Sequence, residues 1–319
     1  MSSSKKTVLK VGKREVAVSN LDKVFYPETG FTKGDVIDYY ARIASVLLPH
    51  MKGRPVSLKR YPDGVKGQYF YEKQCPSHAP EWIKTTKVAK DNGEYIDYCV
   101  FNDLPSLVWA ANIANLELHT SQHRAPALQR PTALVFDLDP GPPAGIIECC
   151  QVALRIEGIF SALGLESFPK TSGSKGMQLV VPLNTATNYE KTKAFARKIA
   201  DTLQEKFPEL VVADMKKSLR EGKVFIDWSQ NDDKKTTVSV YSLRARDAPT
   251  VSTPLKWSEV KAAVKSRSGK DGASKSKSAG PPLVFDAAAV LARVKKWGDL
   301  FEPVLTLKQN LPAVKGVEG

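Results

Sequence analysis

Hydrophobic and polar residues along this chain switch repeatedly between a two-residue and a helical period. Residues 7–19, TVLKVGKREVAVS, alternate on both sides of Gly12-Lys13, the pattern of a hairpin. Residues 31–51, FTKGDVIDYYARIASVLLPHM, take helical spacing behind Thr32, whose hydroxyl suits an N-cap. Short strands are predicted at PVSLKRY, GQYFYEK and YIDYCVF, and LPSLVWAANIANLELHT reads as a helix leading into a strand toward His119. The apolar run ALVFDLDP predicts a strand ending in acids, and a helix follows through AGIIECCQVALRIEGIFSALG, closing at Gly164. SFPKT and MQLVVPL predict paired strands about a Ser-Gly turn, YEKTKAFARKIADTLQEKF a second amphipathic helix, and KVFIDW a further strand. The expectation is a mixed α/β (α+β) fold with the acidic strands central and helices flanking them.

From about Lys261 to Pro282 the composition collapses to Lys, Ser, Gly, Ala and Pro, which predicts a flexible basic linker or loop. FDAAAVLARVKKWGDLF then predicts a helix with Val290, Leu291, Val294 and Trp297 on one side, docked on the main body. The expected organisation is a catalytic domain over 1–260, the linker over 261–282 and a C-terminal helical segment over 283–319.

A formal charge of +13 over 319 residues implies an anionic partner such as nucleic acid, against the plainer reading of a soluble basic surface. Residues 265–277 hold five basic side chains and one acid, so most of the excess lies elsewhere. Cys75, Cys99, Cys149 and Cys150 show no metal-ligand spacing and are expected as small core residues, not disulfides, of a cytoplasmic protein. MSSSKKTV lacks an apolar export core and no run of 18 apolar residues occurs, so no membrane role is expected.

Asp137 and Asp139 alternate with Phe136 and Leu138, so on a strand both acids share one face with Cα atoms ~6.5 Å apart. With Asp227 of KVFIDW they suit a pair of divalent ions for phosphoryl transfer. The competing reading is a solvated acidic strand end before Pro140-Gly141. KTSGSKGMQ, residues 170–178, could turn backbone N–H groups and Lys175 toward a triphosphate, although it lacks Walker A spacing and also fits an ordinary Gly-rich hairpin. Arg244 and Arg246 would share a face on an extended segment, and Arg220 precedes the third acid. Phe70 and Tyr71, with Lys59 and Arg60 upstream, suit base stacking, although strand alternation turns one of the two rings inward. His119 is ambiguous, a satisfied buried histidine being commoner than a ligand-facing one. These parts describe nucleotidyl transfer, with a metal-dependent nuclease or a non-catalytic DNA-end-binding module as alternatives.

In order, the blocks LDKVFYPETGFTK, SLKRYPDG, LELH, VFDLDP, TSGSKG, KVFIDWSQN, KTTVSVYSLRAR, APTVSTPLKW, GDLFEPVL and QNLP resemble the polymerase domain of bacterial ligase D, in the archaeo-eukaryotic primase superfamily. The resemblance implies a primase-polymerase fold and template-directed primer extension and gap filling at broken DNA ends in non-homologous end joining. It also implies a preference for ribonucleotides and two manganese or magnesium ions.

By position it assigns Asp137, Asp139 and Asp227 to metal, and His119, Ser172, Lys175, Gln178, Arg220, Gln230 and Arg244 to the nucleoside triphosphate, His119 at its sugar. Lys23 and Lys33 match a pocket for a downstream 5′-phosphate, and Phe70 or Tyr71, beside Lys59, template stacking. Gln178 stands where the family block usually ends in His, which removes a chargeable ring. The 265–277 run resembles an insertion, and no adenylation motif K-x-D-G or His-rich nuclease block is seen. If this is the full gene product, sealing is expected from a separate ligase, and the resemblance implies recruitment by an end-binding Ku protein.

Overall fold

The computed structural model describes residues 6–268 and 283–313. The chain forms two compact units, each assembled from separated segments: unit 1 from 1–128, 236–252 and 286–299, unit 2 from 129–235, 253–285 and 300–319. The stretch 1–260 expected as the catalytic domain contributes segments to both units. The expected linker also needs correction, because 261–268 continue a helix that runs from Trp257 to Ser268. Its Lys- and Ser-rich composition hides a narrow stripe in which Val260 and Ala263 are buried. The rest of the linker and the last six residues lie outside the described residues. The C-terminal segment divides, with the Ala287–Trp297 helix in unit 1 and residues from Leu300 in unit 2. Among the described residues no helix is long and apolar enough to cross a membrane.

Unit 1 opens with the expected hairpin, Lys6–Val11 against Arg14–Ser19. The Lys33–Met51 helix follows, started by a capping box in which Thr32 and Asp35 satisfy each other's backbone N–H groups. Its buried stripe includes Val36, Tyr40, Ile43 and Leu47, and the hydroxyls this stripe buries find carbonyls, Tyr40 Oη on Leu116 O at 2.6 Å and Tyr39 Oη on Tyr241 O at 2.8 Å. A six-stranded sheet runs in the order Thr237–Val238, Asn115–Thr120, Val56–Arg60, Tyr95–Val100 and Lys84–Ala89, with Phe70–Glu72 also paired to Val56–Arg60. The Lys84–Ala89 strand was not expected from sequence, because both its faces are polar. Cys75 and Cys99 correct the cysteine reading: they form a disulfide with Cα atoms 5.1 Å apart. A bond from Cys75 N–H to Asp97 O at 2.6 Å brings the loop to the strand, a closure over 24 residues that spacing alone does not reveal.

Unit 2 is built on a five-stranded sheet, ordered Phe168–Thr171, Met177–Pro182, Ala133–Pro140, Val224–Asp227 and Val211–Val212. All neighbours are antiparallel except the last pair, which is parallel, and the acidic strands lie inside the sheet, as expected. Leu134, Phe136 and Leu138 pack with Cys149, Ile156 and Phe160 of the Ile146–Ala162 helix and with Phe195, Ile199 and Leu203 of the Tyr189–Lys206 helix. This packing fixes the register of the acidic strand. A one-residue slip would expose Phe136 and Leu138, forfeiting roughly 1.5–3 kcal/mol each, and bury two carboxylates at several kcal/mol apiece.

Candidate active site

Strand pairing in unit 2 places Lys170, Gln178, Asp137 and Asp227 opposite one another across four adjacent strands, in a single polar row. Asp139 lies two residues along from Asp137, on the same face and opposite Phe225. Asp137 is half-buried, and its carboxyl is pushed up to about 7, chiefly by burial and then by the charge of Asp139. Asp227 adds to the rise, while a hydrogen bond from Gln178 and the charge of Lys170 oppose it. Asp227 is held by Ser229, whose N–H and Oγ lie 3.0 and 2.5 Å from Oδ1, and by Gln230 Nε2, 2.8 Å from Oδ2. Gln230, expected at the nucleotide, thus spends its amide on the third acid. Lys235 donates in turn to Ser229 Oγ.

Two glycines make this geometry sterically feasible. A Cβ on Gly176 would overlap the Leu138 carbonyl oxygen, and one on Gly141 the Arg220 carbonyl oxygen, so backbone closes on both flanks of the acidic strand where only glycine fits. In the Gly-rich turn Ser172 is buried, and its Oγ accepts from Ser174 N–H at 3.2 Å and Gly176 N–H at 3.3 Å, while Lys175 is exposed. Arg220 stacks its guanidinium 3.7 Å from the Phe225 ring centroid, donates to Met215 O at 2.8 Å, and keeps a buried Nε without a hydrogen-bond partner.

The unit 2 donors suit a hard divalent cation: they are oxygens, they concentrate negative charge, and the buried Gln178 Oε1 has no hydrogen-bond partner. Among the described residues no three His, Cys, Asp or Glu side chains already form a ligand group.

Unit 1 holds a second cluster, around Glu117, which sequence reasoning missed. On the Asn115–Thr120 strand Leu116 and Leu118 turn into the core, while Glu117 and His119 share the other face. Glu117 is buried, and its carboxyl is held far below the usual range: burial alone would raise it, but the bond from His119 and the charges of Arg244, His119 and Lys59 prevail. His119 is pushed down by burial, against the pull of Glu117, which favours a neutral ring. Arg244 is turned toward Glu117, whereas Arg246 is exposed. The backbone turns between them, with Arg246 N–H on Arg244 O at 3.0 Å, so the expected extended same-face pair is not formed.

Phe70 and Tyr71 are both exposed, 47% and 46%, so the expected inward turn of one ring is also corrected. Among the described residues their three-residue strand pairs along one side only, with Val56–Arg60. Tyr71 packs edge-on to His119 with ring centroids 5.9 Å apart, and Lys59 Nζ lies 4.7 Å from the Tyr69 ring. Lys33 is buried and lowered to about 8 by burial and by Lys23, whose own Nζ pairs with Asp63 at 2.8 Å. No carboxylate pairs with Lys33 among the described residues, an arrangement that suits a phosphate. Lys170, buried in the acidic row, was also missed. Its only signal is the two-residue period it shares with Phe168.

A protein-family model described as LigD, primase-polymerase domain, matches residues 32–272. The multifunctional non-homologous end joining protein LigD of Mycolicibacterium smegmatis is 42% identical over 298 residues, covering 91% of this chain and 36% of that protein. The bifunctional non-homologous end joining protein LigD of Bacillus subtilis is 31% identical over 281 residues, covering 88% and 42%. Among solved structures, the polymerase domain from Mycobacterium tuberculosis ligase D in complex with DNA matches with a TM-score of 0.81 at 38% identity, over 92% of this chain and 99% of that one. The chain spans about two fifths or less of the length of these curated relatives.

Proposed function

The chain belongs to the LigD primase-polymerase domain family, and from that premise we propose that it extends primers and fills gaps on a DNA template in bacterial non-homologous end joining. The primer 3′-hydroxyl attacks the α-phosphate of a nucleoside triphosphate, one phosphodiester bond forms, and pyrophosphate leaves. Asp137, Asp139 and Asp227 would hold two divalent cations, manganese or magnesium. Bound there, such cations supply positive charge to the attacking and leaving oxygens. The observation that carries this reading is three carboxylates on one sheet face, with Asp137 raised by burial and then by its like-charged neighbours.

The remaining roles divide by unit. In unit 2, Ser172 and Lys175 address the triphosphate, Arg220 offers a stacked guanidinium for phosphate oxygens, and Gln230 orients Asp227. In unit 1, His119 reads the sugar with a preference for ribonucleotides and Arg244 contacts the nucleotide. Phe70 and Tyr71 stack on template bases beside Lys59, and Lys23 with Lys33 receives a downstream 5′-phosphate. The proposed setting is the bacterial cytosol, with Ku and a ligase activity as partners in the joining reaction.

The test is single-nucleotide incorporation on gapped DNA, with manganese and with each nucleotide type. Asp137→Ala and Asp139→Ala should abolish extension while leaving DNA binding intact. Full extension by either variant, or primer shortening in the absence of triphosphates, would refute the assignment, the latter in favour of a nuclease.

A further inference from the structure

We propose that Glu117 is a positioning residue for sugar selection: one buried carboxylate holds the His119 ring and the Arg244 guanidinium in a fixed relation before the nucleotide arrives. The inference rests on the sugar-reading role given to His119 above. It goes beyond that role by assigning the selectivity to a residue that does not touch the nucleotide.

The two oxygens of Glu117 have different work. Oε1 faces the frame, with Ala245 N–H at 3.1 Å, Lys59 Nζ at 3.4 Å and Tyr61 Oη at 3.4 Å. Oε2 faces the two nucleotide residues, hydrogen-bonded to His119 Nε2 at 2.9 Å and ion-paired with Arg244 Nε at 3.2 Å without hydrogen-bond alignment. Lys59 lies directly opposite Glu117 in the sheet register, so the frame contacts are fixed by strand pairing and the carboxylate has little freedom to rotate. At 2% exposure it exchanges little with solvent.

The consequence for His119 is chemical. An ionised carboxylate only accepts, so Nε2 must carry the proton it donates. In a neutral imidazole the other nitrogen, Nδ1, is then the acceptor, and it forms no hydrogen bond among the described residues. A ribose 2′-hydroxyl can donate to such a nitrogen, and a 2′-hydrogen cannot. The Tyr71 ring, edge-on to His119 and tied through Oη to Thr236 Oγ1 at 2.8 Å, restricts the imidazole from a second side. Deepening selectivity this way costs no extra contact to the substrate, because a preset ring loses less freedom on binding.

The experiment compares wild type, Glu117→Gln, His119→Ala and the double variant, measuring kcat and KM for ribo- and deoxyribonucleotides on gapped DNA. Glu117→Gln should lower the ribo-to-deoxyribo ratio of kcat/KM by about tenfold, mainly through KM for the ribonucleotide, the scale of one lost charge-assisted hydrogen bond. In the His119→Ala background the same substitution should leave the ratio unchanged. An unchanged ratio for Glu117→Gln alongside a lowered one for His119→Ala overturns the inference and spares the site. An unchanged ratio for His119→Ala overturns the sugar-reading role and the inference with it. Equal losses for both sugars, carried in kcat, mark a role in folding alone and also overturn it. Nitrogen-15 NMR of the wild-type His119 ring gives an answer that does not depend on any variant: protonation at Nε2 supports the proposal, and protonation at Nδ1 alone refutes it.

Discussion

Replacing Asp137 by asparagine should stabilise the cation-free protein while abolishing its activity. The carboxyl is raised from its ordinary value of 3.8 to about 7, a difference of about 3 units, or about 4 kcal/mol at 1.36 kcal/mol per unit. Asp137 is only half-buried, so solvent screening reduces the usable figure to about 2 kcal/mol. The sign follows from proton binding: between pH 4 and 7 the folded state keeps a proton that the unfolded state has lost, so stability falls as pH rises through that window and is flat above it.

At pH 8 with a chelator, Asp137→Asn should therefore melt above wild type by about 4–8 °C, using about 2–4 °C per kcal/mol for a domain of this size. At pH 5 the gap should shrink to under about 1 kcal/mol. Adding manganese should reverse the order, because cation at 100 times its dissociation constant stabilises wild type by about 2.7 kcal/mol and gives the variant little. Thermal melts across pH 5–8, with and without manganese, check all of this. Parallel curves for the two proteins would refute the claim that burial and the neighbouring carboxylates hold Asp137 raised.

Lys33→Met should bring the affinity for a 5′-phosphorylated gap down to that for an unphosphorylated one, a fall of tenfold or more, and wild-type discrimination should fade as pH rises through about 8, where Lys33 loses its charge. Fluorescence anisotropy with both gaps reads this, and undiminished discrimination by the variant would disprove the pocket. Gln178→His should lower KM for the triphosphate several-fold at pH 6 relative to pH 8, because a ring replaces an uncharged amide. A KM ratio that does not move with pH in the variant would count against contact between this position and the triphosphate. Gly176→Ala should cost about 1–3 kcal/mol, since the new Cβ meets the Leu138 carbonyl oxygen. A melting temperature equal to wild type would show that the two strands are not closely apposed.

Elements whose two faces differ in polarity were legible in the sequence. ALVFDLDP announces its buried side through Phe136 and Leu138, and the Lys33–Met51 helix announces its cap at Thr32. What failed to show had no such contrast. Lys84–Ala89 has polar side chains on both faces, and the Trp257–Ser268 helix buries too narrow a stripe to stand out from its lysines. The Cys75–Cys99 bond, the turn at Arg244 and the exposure of both Phe70 and Tyr71 depend on which chain segments meet or stay uncovered. Periodicity carries no information about that. The candidate acids were visible because catalysis needs them on one face of a strand, whereas Glu117 in LELH has the same spacing and passed for an ordinary polar position.

Asp137, proposed to bind cations, and Glu117, proposed to position side chains, differ in the charges around them. Both lie on sheet strands flanked by apolar neighbours, Glu117 buried and Asp137 half-buried, and burial pushes both upward. Glu117 is nonetheless driven far down, because His119, Arg244 and Lys59 surround it with donors and positive charge. Adding a metal ion there would set cation against cation. Asp137 has the opposite company, two further carboxylates with Gln178 and Lys170 as partial relief, and stays raised. A divalent ion would remove that repulsion and return Asp137 to its ionised form, so binding energy and proton release are coupled there. The opposite directions of the two shifts, and the charges around each acid, fit the proposed division of work: Asp137 to holding cations, and Glu117 to holding side chains.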